Sequence, residues 1–273
     1  DVERLAGGLG QLGVGPQDRV LVMMDNRPEF VITLLAAMVI GATSVVVNTR
    51  SAAEEVRSFV ARTAPAVTVV APEHGDLLHA LAPHAPTVVT GAATTGMHGF
   101  GALLRGSAPA AATPVDPLAP AAIQFTSGTS STPKGVVWTH ENYAWGAAAS
   151  ASHEHLDPDD RFLTLLPLFH TNAQMYSVFP TLLTGATVVL VPRFSARRFW
   201  EVATTERATW ASVVPFVTGV LRRQPVPDHS FRCWGTALVV PRWDEQFRLR
   251  TVGWWGMTET VTQVIMSDPA EAT

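Results

Sequence analysis

Short β-branched runs alternate with helical stretches from one end of this chain to the other, and that alternation constrains the fold most. A strand followed by a helix and a further strand has to cross back over its own sheet, which builds parallel sheets covered by helices. Residues 19–24, 67–70 and 87–89 read as strands, with a short helix at 76–81 between the last two. Ser51 and Glu54 offer a capping box that opens a helix to about Thr63. Residues 30–47 form the longest uncharged run and approach the roughly 20 apolar residues that span a bilayer. Gly41 divides that run into a helix begun near Pro28 and a strand at 44–47, as a doubly wound fold writes a buried helix and strand.

The pattern breaks once, at residues 107–114, where proline and alanine replace it and a linker is expected. Beyond it the alternation resumes, with strands at 121–125, 162–165, 187–191 and 210–214, a helix after His140 and another at 196–205. The expectation is an α/β protein of two doubly wound subdomains, residues 1–115 and 116–273, with ligands at the carboxyl ends of the strands. Length and composition agree: 273 residues, 47% hydrophobic and 15% charged, supply a large core. A formal net charge of −4 with no basic run argues against a nucleic-acid partner. One cysteine, Cys233, can build neither a disulfide framework nor a cysteine zinc site, which fits a reducing compartment. The nine histidines show no metal-ligand spacing. No positively charged leader precedes the apolar run, so a cytoplasmic enzyme without a transmembrane segment is expected.

The chemistry concentrates between Gln124 and Gly135. Thr126, Ser127, Gly128, Thr129, Ser130, Ser131 and Thr132 crowd hydroxyls and a glycine ahead of Pro133, Lys134 and Gly135, directly followed by the apolar Val136, Val137 and Trp138. Backbone N–H groups freed by short side chains can converge on one anion, the hydroxyls add donors, and Lys134 adds a positive charge: a phosphate cradle. It is not a Walker loop, because Pro133 stands where the second glycine belongs and Gly135 where the magnesium-binding hydroxyl belongs. A kinase glycine loop is excluded as well.

The loop resembles the Thr-Ser-Gly-Ser/Thr-Thr-Gly-x-Pro-Lys-Gly signature of the adenylate-forming superfamily, which includes acyl-CoA synthetases. It departs from that signature at Ser130 and Ser131; a serine in place of glycine at 131 narrows the allowed backbone angles. A second match, Trp254 to Thr260, resembles the family's aromatic-Gly-x-Thr-Glu motif. A third, Pro167 to Asn172, resembles its Pro-x-Phe-His segment, and Gly235, Thr236 and Ala237 resemble the stretch along the adenine. The Phe194 to Trp200 region and the Gly256 to Thr260 version of the second motif look most similar to crotonobetaine/carnitine-CoA ligases and fatty-acyl-CoA ligases.

The resemblance implies the large N-terminal domain of an ATP-dependent acyl-CoA ligase, a fatty-acid-metabolism type of chemistry: acyl-AMP and pyrophosphate form first, then the CoA thioester. ATP, Mg²⁺, coenzyme A and a small carboxylic acid are the implied cofactors and substrates, and a homodimer is compatible with it. The site carried over runs from Thr126 through Ser130 with Lys134, and includes Gly256. Trp255 would stack on adenine, Thr258 approach the α-phosphate and Glu259 hold Mg²⁺, so that Lys134, Thr258 and Glu259 form the catalytic set. His170, Thr171 and Trp254 would line the acyl pocket; a lone histidine beside apolar residues is given no proton-transfer role. Family members continue into a Gly-Asp motif, a hinge and a small C-terminal domain with a further lysine. None of these is in the chain, which is expected to be an incomplete AMP-binding domain. Two alternatives stay open: a nucleotide- or acyl-adenylate-binding fragment without turnover, and an acyl-AMP ligase feeding a carrier protein.

Overall fold

The computed structural model describes residues 1–126 and 133–269. They pack as two compact units, Asp1–Glu141 and Asn142–Thr273.

The first unit is built on a sheet of seven strands: β1 (Arg19–Met23), β2 (Thr43–Val46), β3 (Val67–Val70), β4 (Thr87–Val89), β5 (His98–Gly99), β6 (Pro120–Thr126) and β7 (Lys134–Thr139). Their spatial order is β5-β4-β3-β1-β2-β6-β7, parallel throughout except for the antiparallel β6–β7 pair. Helix α1 (Val2–Gln11) precedes them, and α2 (Pro28–Val39), α3 (Ala53–Thr63), α4 (Gly75–Leu81) and α5 (Phe100–Gly106) lie between strands. Every residue of β2 and β3 is buried, the signature of strands covered on both faces. Leu21, Met23, Val45, Phe59, Leu78 and Val89 close one core cluster.

Local chemistry explains the boundaries. Pro28 opens α2, where its missing N–H costs nothing. Gly41 turns the chain into β2 at φ +70, a conformation that glycine adopts freely. The 30–47 run is therefore core, with Phe30, Leu34, Ala37 and Val45 fully buried. Helix α3 starts at Ala53, so Ser51 is not its cap; the Ala52 N–H donates instead to Glu55 Oε2 at 3.0 Å.

The division between the units falls at 141/142 and not at the expected 115/116. The proline- and alanine-rich stretch is a strap on the first unit: the Ala110 N–H donates to the Glu3 carbonyl at 2.9 Å and the Thr113 N–H to the Val39 carbonyl at 2.7 Å. It then delivers β6 beside β2, with Ser44 opposite Ala122, so β6 and β7 complete the first sheet.

The second unit has six strands: β8 (Arg161–Thr164), β9 (Thr187–Leu190), β10 (Trp210–Ser212), β11 (Cys233–Thr236), β12 (Arg250–Gly256) and β13 (Gln263–Met266). Their order is β13-β12-β11-β10-β8-β9, parallel except for β13. The chain enters it within α6 (His140–His153). A helical segment follows β8, made of α7 (Thr171–Ala173), a π-helical turn (Gln174–Val178) and α8 (Phe179–Leu183). Then come α9 (Phe199–Thr205), α10 (Pro215–Leu221) and α11 (Pro241–Phe247).

Aromatic rings fill this core. Trp234 lies 4.9 Å from Phe247, 5.4 Å from Phe231 and 5.7 Å from Phe199, ring centre to ring centre; each such ring stabilises the fold by roughly 2–3 kcal/mol through burial. Strand β10 ends at Ser212, short of the expected 214; the Val213 N–H still donates to the Gly235 carbonyl at 2.9 Å, and Val214 is extended ahead of Pro215, which opens α10. Among the described residues no helix is long and apolar enough to cross a membrane.

Candidate functional site

In the first unit, Thr126 and Lys134 face each other across the last rung of the β6–β7 ladder, and Phe125 faces Gly135. Ser127, Gly128, Thr129, Ser130, Ser131 and Thr132, which join the two strands, lie outside the described residues. The root of this hairpin is pinned to α3. Phe59 stacks on Phe125 at 4.0 Å, Arg62 sits 5.2 Å over the Phe125 ring, and an Arg62 guanidinium N–H donates to the Pro133 carbonyl at 2.7 Å. Lys134 is exposed, and Arg62 sets a second positive charge at the same root. Of the apolar run after Gly135 only Trp138 is buried, while Val137 is exposed, because β7 is an edge strand.

In the second unit, the carboxyl ends of β11 and β12 carry most of the remaining candidates. Gly235 and Thr236 close β11, and the Leu238 N–H donates to Thr236 Oγ1 at 3.3 Å, turning the chain at Ala237. The Trp254 ring lies against Gly235 so closely that a Cβ there would be 1.8 Å from Cη2. It also meets the Tyr176 ring edge-on at 5.3 Å. Trp254 is buried, whereas Trp255, its neighbour on the opposite face of β12, is 54% exposed with its ring available for stacking.

Past Gly256 the chain makes a single 3₁₀ turn, Thr258–Thr260. The Thr260 hydroxyl accepts from the Met257 N–H at 3.0 Å, and the Thr171 hydroxyl donates to Thr258 Oγ1 at 3.3 Å, so the second motif and the histidine segment meet. Glu259 is exposed and makes no hydrogen bond or ion pair among the described residues. No cluster of three or more metal-ligating side chains exists among those residues. A carboxylate without a partner among the described residues fits a magnesium ion that phosphate oxygens and water would mainly hold.

His170 precedes the Thr171 turn with its ring 4.6 Å from Phe169. The ring keeps exposed surface, yet the protein packed around it lowers its pKa by desolvation, which favours the neutral imidazole. Two residues to which the sequence reading gave no role join this end of the sheet. Asn172 Oδ1 accepts from the Ser212 hydroxyl at 2.6 Å. Tyr176, on the π-helical turn, has its pKa pushed up to about 12 by burial and then by Glu154, and so remains a proton donor. A π-helical turn leaves no signature in periodicity, although such turns favour functional sites. Cys233 is buried, and desolvation lifts its thiol to about 12, which leaves it inert.

A cavity of about 270 Å³ lies at the opposite edge of this sheet, among Leu163, Val189, Val191, Phe194, Phe199 and Val202. It contains none of the sequence-predicted site residues, so the convergence of strand ends marks the candidate site better than hollow volume does.

A family model described as AMP-binding enzyme matches residues 1–273. The chain is 31% identical over 291 residues to the crotonobetaine/carnitine–CoA ligase of Escherichia coli O127:H6, covering 99% of this chain and 56% of that protein. The chain thus spans about half the length of the curated relatives it matches. Among solved structures, the N-terminal domain of FACL13 from Mycobacterium tuberculosis, with inhibitor bound, superposes with a TM-score of 0.86 at 27% identity, covering 95% of this chain and 68% of that one. The anthranilate CoA ligase AuaEII, in complex with anthranoyl-AMP, gives a TM-score of 0.91 at 20% identity, covering 100% and 56%, and speaks for the fold alone.

Proposed function

The chain belongs to the AMP-binding enzyme family, and on that premise we propose that it is the nucleotide-binding portion of an ATP-dependent acyl-CoA ligase. The observation that carries this reading is the turn bearing Thr258 and Glu259 at the carboxyl end of β12, beside the wall made by Gly235 and Trp254, in a chain that the family model matches from end to end.

The obstacle to activating a carboxylate with ATP is the approach of one anion to another, so electrostatic stabilisation and positioning dominate the chemistry. In the first step a carboxylate oxygen attacks the α-phosphorus. The bond from phosphorus to the bridging oxygen breaks, and its electron pair leaves with pyrophosphate. In the second step the sulfur of coenzyme A attacks the acyl carbon, the carbon–oxygen bond breaks toward AMP, and the thiol proton goes to solvent. Lys134, with the Thr126 to Ser130 loop donors, holds the β- and γ-phosphates. Thr258 donates to the α-phosphate, and its hydroxyl is oriented by Thr171. Trp255 stacks on the adenine, with Gly235, Thr236 and Ala237 along it and Gly256 giving the backbone room. Glu259 would hold Mg²⁺, which when bound neutralises phosphate charge. His170, Thr171 and Trp254 line the acid's pocket, with a neutral imidazole suited to an apolar wall.

An acid labelled with ¹⁸O in its carboxylate tests this route. The proposal requires one labelled oxygen in the AMP released with the thioester. Unlabelled AMP, or label in inorganic phosphate, contradicts it. Acyl-AMP that binds without any acid-dependent AMP release points to a binding portion without turnover.

A further inference from the structure

The turn that carries Thr258 and Glu259 ends in a backbone conformation that side-chain-bearing residues rarely adopt. Val261 sits at φ 68, ψ −52, and across it the Thr262 N–H donates to the Thr260 carbonyl at 2.8 Å. This is a three-residue γ-turn of the strained, positive-φ kind. A β-branched residue stays there only when its surroundings over-determine it.

The surroundings do so from two sides. On one, Gly256 lies so tightly under the loop that a Cβ would fall 2.2 Å from the Tyr176 hydroxyl and 2.7 Å from the Thr262 carbonyl. On the other, Thr262 and Gln263 plug into a buried polar cluster at the end of α6. The Ser150 hydroxyl donates to the Met175 carbonyl at 2.6 Å and lies in hydrogen-bond contact with Thr262, whose hydroxyl donates to Gln263 Oε1. The Gln263 Nε2 donates to Glu154 Oε1 at 2.9 Å. Glu154 is 0% exposed, and its second oxygen has no partner among the described residues. Burial raises its pKa well above the carboxylate range, against the lowering by Gln263 and Arg232, with Asp160 adding to the rise. A neutral carboxyl here has one evident use. By accepting from Nε2 it fixes which way the Gln263 amide faces, and so turns Oε1 toward Ser150 and Thr262. An apolar side chain would fill the same volume without desolvating a polar group, so packing alone does not account for Glu154.

We propose that Glu154 is a positioning residue: through Gln263 and Thr262 it locks the γ-turn at Val261 and thereby aims Thr258 and Glu259 at the phosphates of the nucleotide. This rests on the reading of Thr258 and Glu259 as the nucleotide-facing pair.

The test is calorimetric titration of the whole chain with ATP, with magnesium chloride and with chelator, so that the ratio of the two affinities reports how Glu259 is placed. Glu154→Gln keeps an acceptor for Gln263 and is expected to keep the ratio. Glu154→Met leaves the amide free to turn, and the ratio is expected to fall about tenfold, the scale of one well-placed hydrogen bond, with a smaller loss of affinity in chelator from the displaced Thr258. The paired variant Glu154→Met with Gln263→Met removes both ends of that bond, leaves the Ser150 and Thr262 hydroxyls bonded to each other, and is expected to keep the tenfold loss. A folded paired variant with the parent's ratio overturns the positioning role. A parent chain with no magnesium-dependent gain overturns instead the reading of Glu259 on which the role rests. Should both Glu154→Met variants fail to fold, Val261→Gly, which relaxes the turn and leaves the polar cluster intact, is expected to lower the ratio; an unchanged ratio there overturns the proposal.

Discussion

Adding a single methyl at Gly235 tests the packing on which the second unit's site is built. Strand β11 lies between β10 and β12, and the new Cβ of Gly235→Ala would meet Trp254 at 1.8 Å from Cη2 and 2.1 Å from both Cζ2 and Cζ3. These separations are roughly 2 Å below the distance at which carbon–carbon contact turns favourable. The obstacle is the rigid end of an indole, which is buried and already in contact with Tyr176. Relief therefore requires the ring to swing out of a packed core, at the upper end of overpacking penalties, about 3 kcal/mol. For a chain of this size that corresponds to a fall of roughly 6 to 12 °C in Tm, read by thermal unfolding followed by near-ultraviolet circular dichroism. Adding Trp254→Leu removes the clashing ring, so the double variant should lose far less than the sum of the two single losses. A Gly235→Ala protein with the parent's Tm, or strictly additive losses in the pair, would refute the reasoning.

Other outcomes follow from the same geometry. Glu259→Ala should abolish the magnesium-dependent part of ATP binding while sparing binding in chelator, as titration calorimetry would reveal. Lys134→Ala should slow pyrophosphate formation at least tenfold but leave the affinity for an acyl-AMP mimic close to that of the parent, because acyl-AMP lacks the phosphates this lysine would hold; equal losses in the two assays count against the role. Asp160 is buried against Arg232 and Thr209, and although burial pushes its pKa up, the bonds from Arg232, Thr209 and the Asp157 N–H outweigh that and leave it lowered. Its contribution is thus present above the ordinary aspartate pKa and lost as pH falls through the folded value, so Asp160→Asn should cost about 2 kcal/mol near neutrality and much less in acid, as urea unfolding at several pH values would show.

Much of the fold could be read from the chain because parallel strands covered on both faces are written as uninterrupted apolar runs. Val67–Val70 and Thr87–Val89 are strands with the bounds that the residues suggested, and Gly41 separates helix from strand at the expected place. What escaped was decided by tertiary contact. The 107–114 stretch has a linker's composition but is tied to α1 and α2 by backbone hydrogen bonds. Edge strands β7 and β13 bury too little to show a pattern: Val137, Val264 and Ile265 are exposed. At the candidate site the motif residues were legible because side-chain chemistry marks them. Tyr176 and Glu154 were not, since a π-helical turn and a buried polar cluster have no sequence period.

The central claim is tested most directly by acid-dependent exchange of labelled pyrophosphate into ATP, run on this chain with short, medium, long and carnitine-like acids. The account predicts exchange that requires magnesium, depends on one class of acid and disappears with Glu259→Ala. No exchange with any acid, from a folded protein that still binds an acyl-AMP mimic, would contradict it.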